Sequence, residues 1–472
     1  GETVRIENGK LTAASQTHFY SVKNEDKTKG NYNNDGATGE NAIAAGPDAK
    51  AAAKNAVVIG NKASVEAATG SVASVNGTTT GEGSVAVGAA SKASGTNATA
   101  VGQTANAFGQ NSFAGGQASN ALGKSSVALG DGANALNDSA VALGAYTNAN
   151  NAGATAVGFN TNASGWASFA GGHSAKAEAS SAVALGHEAQ AVGGKAVAIG
   201  KSSHATKESG IALGDEAQAA GSKAVAIGKT SYAAKDSGIA LGDGAKAAEV
   251  NAIAIGSGNN AWKEDSVALG RLANADGAAS LALGLNSHTR LENAIALGNG
   301  ANADHSNSIA IGKSSHAAAS AGVAIGNDAQ ALKYSSVVIG DQAQSNNSRS
   351  VVIGYHASAT NPAKPASAED DYNQTIAIGS YANAWGDQST AIGNNVDAKG
   401  NSSIAIGADD WDTVAVKTVD GTGGKTVKEV YQDYTGDVMV TGSYTHTTSS
   451  EAAVAIGTKS QAETFAKFPK IP

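Results

Sequence analysis

The sequence predicts an all-β protein, a parallel β-solenoid built from coils of 14 residues. Three observations predict it: a glycine that returns at a fixed interval, short alternating runs ahead of each such glycine, and an apolar content made largely of alanine.

The interval comes first, because a fixed period decides the architecture. A small polar residue, a branched or aromatic residue, Ala, a second branched residue and Gly form a recurring signature. Its Gly falls at Gly46 and Gly60, at every fourteenth residue from Gly88 to Gly354, and again at Gly379, Gly393, Gly407 and Gly457. The near-identical stretches 201–228 and 229–256 are each two such units.

The runs "SVALG" and "AIAIG" alternate, carry β-branched residues and stop at Gly, which reads as strand then turn. A second short run, such as "ANA" at 133–135, follows three residues later, with Gly, Asn and Asp supplying turns between. Like strands of successive units then pair in parallel.

Alternation along a strand assigns the faces. Ala128, Ala133 and Ala135 point into the coil, which encloses almost no space. Val127 and Leu129 point out of it, in a stripe that recurs in every coil. The stripe comprises Val85, Val87, Phe113, Val127, Leu129, Phe169, Val183, Leu185, Val197, Ile199, Ile211, Leu213, Val225, Ile227, Ile253 and Ile255. Coils spaced about 4.8 Å apart would carry it along a rod of roughly 120 Å over some 25 turns. An apolar surface of that length must meet something, most simply itself in other copies, so an obligate homo-oligomer follows. In "SFAGG" at 112–116 and 168–172, Phe113 and Phe169 enlarge as Gly115 and Gly171 shrink, as on a packed face conserving volume.

Composition agrees with many thin cores rather than one thick one. Hydrophobic residues are 41%, but aromatics only 5% and charged residues 15%. The absence of Cys rules out disulfides and thiolate metal sites. A net charge of −8 argues against nucleic acid. No apolar run is long enough to span a bilayer. "GETVRIENGK" is not a signal peptide, which leaves a cytoplasmic protein or an excised extracellular piece.

Four regions depart from the period. Residues 1–40 lie outside it, and "TVRIENGKLT" is a hairpin signal around Asn8-Gly9. This segment caps the open edge of the first coil or binds a ligand at its end. The body, 41–408, is irregular at 61–83, and "TNPAKPASAEDDY" places a Pro-stiffened loop at 359–372. Residues 409–450 are the largest interruption. "TVAVKTV" (413–419) and "KTVKEVY" (425–431) read as a β-hairpin about "DGTGG", with "DVMVTGSYT" as a further strand. Trp411, Tyr431, Tyr434 and Tyr444 gather there, as the insertion's own small core or as a ligand contact. Residues 451–472 hold the last repeat and the C-terminal end.

No catalytic, cofactor or metal site is expected. His204, His288 and His316 share one phase of the repeat, but His288 and His316 stand two coils apart, roughly 10 Å, too far to share one ion. Their phase alternates with the inward alanines, which points them to solvent. "GTGGKT" at 421–426 lacks the spacing and following helix of a phosphate loop.

These units resemble the head repeats of trimeric autotransporter adhesins, the YadA-like head: "SSVALGDGANA" (125–135), "NAIAIGSGNNA" (251–261) and "NSSIAIGADD" (401–410) follow that motif nearly letter by letter. The resemblance covers about 41–407 and 451–462. It implies a left-handed parallel β-roll and a homotrimer, exposed on the bacterial outer membrane and binding a host cell-surface or matrix component or another bacterial cell. The stalk, membrane barrel and basic neck that accompany such heads are not seen, so the chain reads as a fragment, attached to a membrane only through an anchor it does not contain. Two other readings compete with this one. A β-solenoid polysaccharide-active enzyme would use wider coils with a groove. An ice-binding solenoid would show regular Thr-x-Thr rows, whereas Asn134, Gln218 and Lys246 vary outward.

Overall fold

A computed structural model describes residues 5–7, 10–12, 28–66, 69–74, 76–360, 374–408, 415–436, 447–458 and 460–462. They fall into two compact units, Gly1–Ala196 and Val197–Pro472. Each is a parallel β-solenoid whose coil has one strand of three or more residues and one shorter strand.

In the first unit, Val127–Leu129 pairs in parallel with Phe113–Gly115 before it and Val141–Leu143 after it. Asn134–Ala135 pairs likewise with Asn120–Ala121 and Asn148–Ala149. Each coil therefore sits one repeat of 14 residues from the next, as side-chain partners such as Asn120 and Asn134 show. The second unit repeats the pattern, for example Val225–Ile227 between Ile211–Leu213 and Ile239–Leu241.

Parity places the core as expected: Ala128, Ala133 and Ala135 have no exposed surface. Small hydroxyl residues share the interior because they bond back to the turn they leave. Ser126 Oγ donates to the Gly123 carbonyl at 2.7 Å, and Thr147 Oγ1 to that of Gly144 at 2.9 Å. The interior is nonetheless wider than the composition suggests. Val58 and Val65 in the first unit, and Val338, Val352 and Val396 in the second, are fully buried inside coils. Val127 is outside because strand alternation puts it there, not because a coil cannot hold a valine.

The signature glycine is fixed by conformation and by space. Gly130 has φ +141°, and a Cβ there would lie 2.4 Å from the Gly144 oxygen of the next coil. Both turns also hold a non-glycine residue at positive φ, such as Thr104 (φ 54°) and Asn111 (φ 58°). Their N–H groups donate to the preceding coil, to Ala89 O and Thr96 O at 2.8 Å each, which offsets the strain.

The interruptions are absorbed in register. Within 61–83, Val57 pairs with Val72 and Val72 with Val85. One long-strand step is a residue too long and the next a residue too short, while Ser64–Thr78–Lys92 keeps the regular interval. Val351 pairs with Ile376, which skips the loop insertion without loss of a coil. Ile404 pairs with Val454 across the largest insertion, and Thr447–Ser449 rejoins the sheet of short strands.

At the N-terminus, Arg5–Glu7 and Lys10–Thr12 pair antiparallel with two residues between them, as the Asn8-Gly9 signal requires. Residues 29–39 lie on the first coil: Asp48 N–H donates to Gly30 O at 2.6 Å, Ala51 N–H to Gly36 O at 2.7 Å, and Asn31 Nδ2 to Ala44 O at 3.3 Å. The edge strands of that coil are thereby partly covered.

The insertion departs from expectation. A hairpin turn does form, with Thr418 bridged antiparallel to Thr426, Val419 N–H donating to Lys425 O and Val427 N–H to Lys417 O. The second arm then becomes a helix, Val427–Thr435, in place of the strand read at 425–431. Thr426 and Glu429 form a capping box at its start, and Gly436 (φ 75°) ends it. "DVMVTGSYT" is 437–445 and lies outside the described residues.

The glycine column gives a direct test. Gly130→Ala is expected to destabilise the protein by about 1–3 kcal/mol, seen as a lower thermal midpoint. Gly194→Ala, where a Cβ would meet nothing within 4 Å and φ is not positive, is the matched control and should leave the midpoint unchanged or slightly raised.

Candidate functional site: the outward faces of the coils

Among the described residues, the first unit has eleven long strands and the second sixteen. Each presents two outward side chains, the first and third of its alternating run. Neither position carries a charged residue in any of these strands. Every other outward position does so somewhere. The short strand has Lys92, Lys176 and Lys246; the turn after the long strand has Asp131, Lys201 and Arg271; the turn after the short strand has Glu178, Arg290 and Lys399.

None of the stripe residues named from sequence is buried by its own chain. Leu129 keeps 49% of its surface, Leu185 43% and Ile199 38%, while Val127, Val183 and Val197 are half-buried. The two Phe–Gly coils are explained within the chain. A Cβ on Gly115 would lie 2.8 Å from Phe113 Cε1 and 2.8 Å from Leu129 Cδ1, so the Phe113 ring lies over the glycine and Leu129 closes it from the next coil. Gly171 is covered in the same way by Phe169 and Leu185. The exchange of volume is thus packing inside one chain.

The short-strand face is held by side-chain ladders. Asn106 Nδ2 donates to Asn120 Oδ1 at 2.8 Å, Asn120 to Asn134 at 2.8 Å and Asn134 to Asn148 at 2.9 Å, as in stacked cross-β amides. In the second unit some of these positions hold imidazoles, which pair with carboxylates just past the short strand. His288 Nε2 lies 2.9 Å from Asp276 Oδ2, and His316 Nε2 lies 2.8 Å from Asp304 Oδ2. These histidines are paired and half-buried rather than pointing freely to solvent, because each reaches an aspartate twelve residues earlier. His204 is half-buried too, with Nδ1 at 2.9 Å from Ser202 O. No cluster of three or more His, Asp or Glu placed to hold a metal occurs among the described residues.

Two aromatic clusters escape a reading confined to strands. Tyr146 meets Phe159 edge-on at 5.9 Å between ring centres, and Phe159, His173 and His187 stack on successive coils at 5.3 and 4.9 Å. All four are exposed, Phe159 and His173 as the last residues of long strands and Tyr146 and His187 in the turn that follows such a strand. In the second unit Tyr355, His356 and Tyr381 pack together, with His356 and Tyr381 stacked at 5.1 Å. A hydrogen bond with Tyr381 holds the Tyr355 hydroxyl above its ordinary pKa. The signal was present: a ring one or two residues after the signature glycine in neighbouring repeats.

In the insertion, the helix buries no residue. Tyr434 is 90% exposed and Tyr431 37%, so neither sits in a small core. Trp411 and Tyr444 lie outside the described residues. The Glu429 carboxylate accepts from Thr426 N–H at 2.7 Å and Oγ1 at 2.8 Å, which holds it below the usual carboxylate range.

A family model described as the YadA head domain repeat (2 copies) matches residues 37–63, 80–103, 93–119, 121–147, 168–189, 177–203, 205–231, 233–259, 263–287, 292–315, 306–329, 331–357 and 373–395. The chain belongs to the YadA head family. No curated protein matches it. The matched segments lie on the coils just described and skip the insertion with its helix. YadA-like heads are parts of trimeric autotransporter adhesins; they form homotrimers, are surface-exposed and bind host or matrix targets. No helix among the described residues is long and apolar enough to cross a membrane.

The Phe–Gly packing predicts strong coupling between neighbours. Gly115→Leu alone is expected to cost about 1–3 kcal/mol by overpacking against Phe113. Adding Phe113→Val, which recreates the ordinary coil, should recover most of that loss, a non-additivity measurable by thermal unfolding of the single and double variants.

Proposed function

We propose that this chain is the head of a trimeric bacterial surface adhesin. It is a non-enzymatic scaffold that attaches its cell to host cells, extracellular matrix or other bacteria. One observation carries the reading: two outward columns stay charge-free in every described long strand while their own chain leaves them open to water. Full burial of one such side chain is worth roughly 1.5–3 kcal/mol, and the half-exposed residues here retain part of that gain for association. Copies of the same chain carry the matching stripe. Closed threefold assembly would cover all three stripes together, in line with the family. Coil interiors among the described residues are filled mostly by alanine, so the inside of a coil offers no room for a polysaccharide.

Attachment then falls to the surfaces that remain outside: the polar turns, the exposed aromatic clusters such as Tyr355, His356 and Tyr381, and the insertion with Tyr431 and Tyr434. Light scattering should give three times the chain mass. Leu185→Asp, which sets a charge in the stripe, should shift that mass toward one chain. Tyr355→Ser with Tyr381→Ser should preserve the mass and reduce capture of cells or matrix on a protein-coated surface. A wild-type protein that scatters as a monomer contradicts the trimer; unchanged capture by that variant excludes the second aromatic cluster as the contact.

A further inference from the structure

A repeating stripe poses a problem of alignment. Val127 and Leu129 of one coil are matched by Val141 and Leu143 of the next, and Ile253 and Ile255 differ little from Ile309 and Ile311. Two copies shifted by one coil, about 4.8 Å, would pack nearly the same side chains. Thr99, Thr155 and Thr390 vary the pattern, but threonine has almost the shape of valine. The Phe–Gly coils change the contour itself. At Phe113 one ring lies over Gly115 and replaces two separate branched side chains, and Phe169 does the same over Gly171. Phe113 remains 36% exposed, so the altered contour faces whatever meets the stripe.

We propose that the Phe113/Gly115 and Phe169/Gly171 layers fix the axial register in which copies of this chain associate. The proposal rests on the trimer reading above. In register, each ring meets the same layer of its neighbours. After a slip, each ring meets a Val/Leu layer with no room for it, and branched residues face a glycine-floored layer shaped for a ring. Both errors are costly. The two layers are separated by Val127–Leu129, Val141–Leu143 and Thr155–Phe159, so they lie four coils apart. A slip of one to three coils matches neither layer and a slip of four matches one. Only the unslipped arrangement satisfies both. This is the role that a buried asparagine plays in coiled coils, performed here by shape.

The chain has no cysteine, which permits a clean test on the full protein. Leu143→Cys and Val157→Cys mark adjacent coils between the two layers; the atoms that press closest on Gly115 and Gly171 belong to Phe113, Leu129, Phe169 and Leu185 instead, although Val157 is the strand partner of Gly171. One chain carries a mass tag. The two are co-refolded and joined with short bis-maleimides, and products are scored by size. In the wild-type background, like–like products (143–143 and 157–157) should exceed the mixed 143–157 product by about tenfold or more, as expected for a multi-kcal/mol register preference. In F113V/G115L/F169V/G171L the excess should vanish while the circular dichroism and mass are kept. A second variant guards against misfolding. Moving both layers one coil along (F113V/G115L/V127F/L129G with F169V/G171L/V183F/L185G) should make that chain pair with wild type shifted, giving mixed products. The proposal is overturned by mixed products in wild type, by a consensus variant still in register, or by a trimer with no like–like product. A monomer by light scattering overturns the trimer reading instead, and the register with it.

Discussion

The structure depends on alternation within a thin coil whose interior is lined mostly by small side chains. Of each long-strand run of three, the middle residue faces in and its neighbours face out. The inward residue is nearly always alanine, so a single coil buries little and cannot stand alone. Stability comes from stacking: backbone bonds between coils, amide ladders along the short strands, and glycines that let one turn rest on the next. The same alternation forces the larger branched residues outward, so the cost of a thin core is an uncovered apolar stripe. The proposed function follows from how that stripe would be covered.

Charge distribution separates the faces. Lysine, aspartate or arginine occurs in some repeat at every outward position but two. Those two positions lie side by side on the long strand, whereas the turns and the short-strand face carry charge of both signs. A surface kept free of charge through so many repeats, in a chain otherwise varied from coil to coil, is what the proposed threefold assembly would shield from water. The exposed rings of Tyr146, Phe159, His173 and His187 are of another kind. They sit one or two residues past the signature glycine, where other coils carry charge, so the proposed threefold assembly would leave them outside.

Much of this was legible in the sequence because it is local and repeated. The glycine period, the strand parity and the inward alanines each follow from a few adjacent residues, and repetition removes ambiguity. What was not legible depends on neighbouring coils or on competing local signals. That Val58 and Val338 fit inside a coil depends on the small residues around them. His288 and His316 were read along their own column, while their partners Asp276 and Asp304 lie in the adjacent one. The second arm of the insertion has the valines and tyrosine of a strand, yet Thr426 and Glu429, three residues apart, carry a helix-start signal that prevailed. The ring compensation at Phe113 and Gly115 was seen, but its partner proved to be the chain itself.

The central claim is that the long-strand stripe is shielded by other copies of the chain. Hydroxyl-radical footprinting of the intact protein, read residue by residue by mass spectrometry, tests it with an internal control. Leu122 and Leu136, in the turn after the short strand, keep 39% and 38% of their surface in the single chain, while Leu129 and Leu185 keep 49% and 43%. The account predicts that Leu129 and Leu185 are oxidised several-fold more slowly than Leu122 and Leu136, despite their greater exposure in one chain. Equal or faster oxidation of the stripe would contradict it.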